Sequence, residues 1–436
     1  MTTPAFIAGP RRWIARAPAP LFALYGGTMA FGAYFAMYAF RKPFAVASFA
    51  DAAPVLVQFK IALVIAQVFG YALSKVAGVK IISETAPEHR AWAILGLIGL
   101  AELALVGFAL TPSPFNILFM FANGLALGMI WGLVFGFLEG RRMTEALGAM
   151  LCASFIVSSG VVKSVGKSVM LAGLANEYWM PALTGLLFVP LLLVCVFGLV
   201  LLPPPSPEDE ALRMARAPMN ATQRANMFSA FAPGLVALVL VYVGLTALRD
   251  FRDNFAVDIW NALGFQNDSE IFTLSELPVA AIVLVVLALL IFIRDNRTAF
   301  LANLAFVATG LVLAGLSSLA FQSHLIGPVV WMIALGAGLY LSYTPFNAFL
   351  FDRFIAASGR TGTAGFLIYV ADASGYASSA ALLVFYNFVG VKLSWVEFLC
   401  AISYVAAGAG LVLVFGAGVY FSRRLAMADA AMAQAE

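Results

Sequence analysis

Long apolar runs, each about the length of a bilayer-crossing helix, recur along the chain with only short polar breaks between them. A span needs roughly 20 mostly apolar residues, because every backbone N–H and C=O must be satisfied within its own helix where no water is present. Twelve runs meet that length: 20–42, 54–75, 91–111, 114–138, 147–171 and 180–202, then 229–252, 276–293, 298–320, 326–350, 363–386 and 396–421. They are continuous rather than alternating over about ten residues, which predicts helices and not barrel strands. The longest hydrophilic stretch, 203–227 (PPPSPEDEALRMARAPMNATQRANM), divides them six and six. The expected organisation is an N-terminal six-helix bundle over 1–202, a linker over 203–227 and a C-terminal six-helix bundle over 228–436.

Composition agrees, with 63% hydrophobic and 11% charged residues against about 45–50% and about 25% in soluble domains. The fold class is therefore all-α membrane protein. Arg11, Arg12 and Arg16 ahead of an apolar run imitate a secretory signal, but only further spans follow, so the run reads as a retained first helix. Cys152, Cys195 and Cys400 fall inside predicted spans, too scattered for a disulfide framework or a metal cluster. No metal, cofactor or nucleic acid is implied.

Orientation follows from the basic residues. With both termini cytoplasmic, seventeen of the 25 Lys and Arg residues face the cytoplasm, running from Arg11 to Arg424 and including Lys75. Lys392 alone sits in an outer loop. Arg41, Lys42, Lys60, Lys163, Lys167, Arg249 and Arg252 lie within spans or at their ends. The expected location is a plasma membrane, a bacterial inner membrane.

The two halves repeat each other weakly, as duplicated transporters do. RKPFAV at 41–46 recurs as RDNFAV at 252–257, FLEGR at 137–141 as FLFDR at 349–353, and SSG at 158–160 as ASG at 373–375. The offsets stay near constant, pairing spans 1/7, 4/10 and 5/11.

In this arrangement the chain resembles the major facilitator superfamily, whose fold is two six-helix bundles flanking a central cavity. Its signature loop after span 2 survives as GYALSKVAGVK (Gly70 to Lys80), with Ser74 and Lys75 where Asp and Arg stand in the family. Glu139, Arg141 and Arg142, with Asp352 and Arg353, look similar to the superfamily's gating-loop charges. Span 1, GAYFAMYAFRKPFAVASF, resembles the first helix of the organophosphate:phosphate antiporters through Tyr38, Arg41, Lys42 and Phe44. That resemblance implies phosphate held by an Arg of this motif and an Arg on span 7. Both Arg249 and Arg252 are available for the second role. The family's span 5 His is absent, since His89 and His324 lie in loops, and Pro43 replaces a polar residue. Monomeric assembly is also implied only by resemblance.

A cation at membrane depth costs roughly 2.5–3.5 kcal/mol on insertion scales and usually faces water or a bundle interior. Arg41 with Arg249 or Arg252 reads either as ion-paired or snorkelling, or as a guanidinium clamp whose planar fork matches phosphate or carboxylate oxygens. Lys163 and Lys167, four apart, share one helix face and repel unless something anionic or aqueous lies beside them. Asp372, Asp253, Glu102 and Glu276 are candidate proton-coupling acids or counter-ions. GLALGMIWG (Gly124 to Gly132) and GAGLYLSY (Gly336 to Tyr343) read as close-packing segments.

These features predict a secondary transporter moving a small anionic solute by alternating access, proton-coupled or by exchange. No nucleotide-binding loop accompanies the spans, and no set of catalytic side chains suggests a membrane-embedded enzyme. The alternatives are a transporter-like sensor, or a carrier of zwitterionic or lipophilic solutes.

Overall fold

The computed structural model describes residues 5–52, 57–139, 141, 144–205, 221–266, 268–358, 364–388 and 393–433. Arg142, Lys392 and 206–220 of the expected linker lie outside the described residues. Two compact units are distinguished: Met1–Met214 with Asp268–Thr273, and Ala215–Asn267 with Leu274–Glu436.

The first unit contains α1 (Ala5–Ala15), α2 (Ala19–Tyr38), α3 (Phe59–Glu84), α4 (Arg90–Leu110), α5 (Ile117–Leu127), α6 (Ile130–Phe135), α7 (Thr144–Leu171) and α8 (Met180–Val200). In the second are α9 (Ala221–Ala230), α10 (Ala232–Asn254), α11 (Ala256–Ala262), α12 (Ile271–Ile291, save its first three residues), α13 (Asn296–Gln322), α14 (Pro328–Ala348), α15 (Leu350–Ser358), α16 (Ala364–Phe388) and α17 (Trp395–Ala433). Among the described residues, eleven helices are long and apolar enough to cross a membrane. The predicted first span forms as α2, 20 residues long, but falls outside those eleven because three glycines and three tyrosines dilute its apolar character. Predicted span 4 is realised as α5 and α6, separated at Gly128 and Met129.

Their outward faces are apolar: Leu103 is 66% exposed, Leu118 69%, Leu289 56% and Phe415 76%. Such a surface suits lipid, not water.

Inside the bundles, glycines bring backbones together, as expected where apolar side chains gain nothing by leaving lipid. In the first unit α3 packs on α5, α2 on α7 and α8, and α4 on α5 and α8. A Cβ on Gly124 of α5 would strike the Gln67 carbonyl oxygen of α3, and on Gly70 of α3 it would strike that of Phe121. In the second unit α13 packs against α14 through Gly310 and Gly338, each filling the space a Cβ on the other would need. The Ser342 hydroxyl ties the pair by donating to the Val307 carbonyl at 2.8 Å.

The stretch after α2 is a short 3-10 helix, Pro43–Val46, followed by a turn in which Phe49 adopts φ of 52°. A side chain in that left-handed region is strained. Glu177 holds it there: its carboxylate accepts from Ser48 N at 2.9 Å, Ser48 Oγ at 2.8 Å and Phe49 N at 2.7 Å. Phe49 then stacks edge-on against Phe59, Phe108 and Tyr178. Burial raises the Tyr178 phenol above its usual range, with the Glu177 and Asp51 charges adding to the shift.

Candidate functional site

In the first unit the site begins where α2 stops. Pro43 has no N–H to donate to a continuing helix; α2 ends at Tyr38, and Arg41 and Lys42 follow in a turn. Carbonyls released at a buried helix end need donors. Gln67 supplies one to Arg41 O at 2.9 Å, and Asn123 one to Phe40 O at 3.0 Å, while Gln67 also donates to Asn123 Oδ1 at 2.8 Å. This amide pair fixes the Arg41 backbone.

The Arg41 guanidinium lies 3.7 Å from the Tyr71 ring centre and 5.9 Å from that of Tyr38. Tyr34 Oη is 3.4 Å from Tyr71 Oη. Lys75 approaches the same Tyr71 ring at 5.8 Å and Trp131 at 5.4 Å. Gln67, Tyr71 and Lys75, four apart, form one polar face of α3. Lys75, expected on the cytoplasmic side, is buried at 6% exposure beside Arg41's own aromatic partner. The i, i+4 spacing was a signal for that face; nothing local pointed to Asn123.

Lys42 and Lys163 are buried and Lys167 half-buried. Gly166 lies between the two lysines of α7, and Pro43 packs onto it, so the segment after α2 rests on this face. Glu102 sits elsewhere. Neither of its buried carboxylate oxygens finds a hydrogen-bond partner, and a Cβ on Gly185 would come within 2.7 Å of Oε2.

The second unit separates the two span 7 arginines. Arg249 donates from Nε (3.1 Å) and Nη2 (2.7 Å) to the single oxygen Oδ1 of neighbouring Asp250. Its guanidinium lies 4.2 Å from the Tyr343 ring centre, with Tyr376 Oη 3.5 Å from Nη2. Arg252 turns to other helices: Nη1 meets Glu276 Oε1 at 2.8 Å, and Nη2 donates to Met332 O at 3.0 Å. Gly336 makes room for it, since a Cβ there would come within 2.7 Å of Nη2. Arg249 therefore pairs with its neighbour in the chain, Asp250, whereas Arg252 pairs across helices with Glu276, one of the expected counter-ions. Asp253 is half-buried on α10.

Beyond Arg249 runs a buried polar chain. Tyr242 donates to Asp372 Oδ1, and its Oη lies 2.7 Å from Tyr343 Oη; Asn347 Nδ2 donates to Tyr242 Oη at 3.2 Å. Asp372 is thus tied to α10 and α14 through phenols.

The expected gating residues occupy helix ends. Glu139 is exposed; Arg141 donates to Pro203 O at 2.5 Å; Arg353 donates to Asn296 Oδ1 at 2.9 Å beside half-buried Asp352. Among the described residues no group of three His, Cys, Asp or Glu is placed to hold a metal.

Comparison with known proteins places this architecture. The chain is similar to a mutant of the peptide transporter POT crystallised with sulfate: 15% identity, 94% of this chain and 96% of that one covered, TM-score 0.58. A second structure of mutant POT gives 14% identity, the same coverages and a TM-score of 0.57. These likenesses show a shared all-helical fold of the major facilitator kind. No curated protein matches the sequence. One family model does match, over residues 43–424, and by it the chain belongs to a family of unknown function, DUF5690.

Proposed function

We propose that this chain is a secondary transporter that carries a small oxyanion, phosphate- or carboxylate-bearing, across a membrane by alternating access. The observation that carries the reading is a pair of cations held around one buried aromatic ring. Among the described residues of the first unit, Arg41, Lys42, Lys60, Lys75 and Lys163 are buried, and Glu102 buries its carboxylate oxygens. Ionic groups are costly to keep inside an apolar bundle and point to a function. Arg41 and Lys75 around Tyr71 bring a planar fork and a point charge to one ring, a pairing suited to oxyanions.

In the second unit Arg249 is the ligand-facing arginine and Arg252 the structural one. Arg249 holds Asp250 through one carboxylate oxygen only, a local contact that an incoming oxyanion displaces from the Nε/Nη2 edge, whereas Arg252 is committed across three helices. Asp372, linked through Tyr242, is the candidate proton-coupling acid. The solved peptide transporters of the same fold support carriage over sensing or chemistry. The chain works as a monomer of two bundles, 1–202 and 228–436, with both ends on the cytoplasmic side of the plasma membrane, as its basic residues direct.

Purified protein titrated with phosphate, phosphate esters and carboxylates tests this. One anion should raise Tm in wild type and not in Arg41→Ala, and the same anion should cross the wall of proteoliposomes. Stabilisation without flux would identify a sensor. No response to any anion would overturn the reading.

A further inference from the structure

Helices α13 and α17 lie side by side in the second unit, antiparallel, in a register fixed by three contacts. Arg297 Nη2 donates to Ser422 O at 3.2 Å, Leu304 reaches Gly418, and Leu311 packs on Gly410. Between them runs an open cavity of about 500 Å³, lined by Leu301, Leu304, Ala308, Val414, Phe415 and Gly418 among others. Ala308 and Gly418 hollow it out. Phe415 and Val412 stand 76% and 73% exposed on α17.

The two ends of this trough differ. Along α13 from 308 to 322, and along α17 from 398 to 414, no charged residue occurs. At the other end Ser422 closes the lining; Arg297 donates to its carbonyl, Arg423 and Arg424 follow it directly on α17, and Arg294 precedes α13, the last three exposed. The nearby acid, Asp295, is engaged at the first turn of α13, where its carboxylate accepts from Thr298 N at 2.7 Å. Asp352 is half-buried on neighbouring α15. The balance at that end is positive.

An apolar trough ending in a cluster of guanidinium groups fits one amphiphile. We infer that the α13/α17 groove is a binding site for an anionic phospholipid, one acyl chain lying along Leu304, Ala308 and Phe415 and the headgroup phosphate meeting Arg423, Arg424 and Arg297. Basic pockets between membrane helices select acidic headgroups in this way, and the buried chain adds affinity that a free anion lacks. The site is separate from Arg41 and Arg249, so it stands or falls independently of the transported solute.

Native mass spectrometry of the detergent-purified full chain, titrated with phosphatidylglycerol or phosphatidylcholine, tests it. Wild type should retain phosphatidylglycerol at least about fivefold better than phosphatidylcholine. The double variant Arg423→Gln/Arg424→Gln, which changes only exposed side chains, should lose that preference, and Gly418→Leu, which fills the groove, should lose the tightest phosphatidylglycerol adduct. Inorganic phosphate should not raise Tm through these arginines. Equal retention of both lipids by wild type, an undiminished preference in the double variant, or a dimer that forms through this face when lipid is removed would overturn the proposal.

Discussion

Gly124→Ala should destabilise the protein and loosen its candidate anion site, although alanine is the better helix former. On an exposed helix the change gains up to about 1 kcal/mol. Here the new methyl would strike the Gln67 carbonyl oxygen and come 2.9 Å from Gln67 C and 3.0 Å from Tyr71 N, all backbone atoms of α3. Carbon contacts relax near 3.5–4.0 Å, so α3 and α5 must part by roughly 0.5–1 Å, which forfeits a quarter to a half of the dispersion well along their seam. Overpacking of this kind costs about 1–3 kcal/mol. The net loss should be about 2 kcal/mol, a fall in Tm of roughly 2 °C for a chain of 436 residues. Gly99→Ala is the control, because nothing lies within 4 Å of its Cβ position, and it should leave Tm level or slightly higher. Tyr71 moves with the α3 backbone, so an anion bound at Arg41 should also weaken in Gly124→Ala at temperatures where the protein stays folded. Equal Tm for the Gly124 and Gly99 variants would refute the reasoning.

Four further perturbations have expected outcomes. Glu276→Gln removes the carboxylate from buried Arg252 and should cost about 3–5 kcal/mol in thermal unfolding, while Arg252→Met/Glu276→Leu should recover most of it; wild-type stability in the single variant would show the pair to be dispensable. Asp250→Asn should tighten oxyanion binding several-fold, since no internal carboxylate then competes for Arg249, and weaker binding in calorimetry would refute that competition. Glu177→Gln should cost about 2 kcal/mol and speed amide exchange over 48–52, because the carboxylate accepts three hydrogen bonds there; unchanged exchange would remove its role as the clasp. Asp295 is held below the usual carboxylate range by its hydrogen bonds from Thr298. Its contribution is therefore complete above the ordinary Asp range and lost as pH falls through the lower folded value. The Tm difference between wild type and Asp295→Ala should shrink on acidification, and a difference that grew would contradict the sign.

The twelve apolar runs located the helices to within a few residues at most ends, because span length is imposed by lipid and reads directly from sequence. What spacing could not show was which helix a side chain leans on. Arg249 and Arg252 are one turn apart on α10, yet one folds back to Asp250 under Tyr343 and the other crosses to Glu276. Lys75 was counted among the charges that orient the chain, since its window is a loop signature; only the fold sets it beside Tyr71 and Trp131. The packing role of GLALGMIWG and GAGLYLSY was legible, but not that Gly336 would make room for Arg252. The amide pair of Gln67 and Asn123 joins residues 56 apart, and no local pattern encodes such a pairing.

Arginines that the proposed orientation sets on the cytoplasmic side also finish helices. Arg11 donates to Val200 O, the last residue of α8, at 2.8 Å; Arg141 donates to Pro203 O just beyond; and Arg90 donates to Gly136 O, where α6 ends. Each sets a positive charge on the negative pole of a helix and satisfies a carbonyl that no further turn can reach. Under the proposed orientation, insertion and the folded bundle would read the same side chains at different times. A neutral substitution at Arg11 or Arg141 would weaken the inward bias of one loop and fray the end of a distant span together, so biogenesis and stability cannot drift apart at these positions.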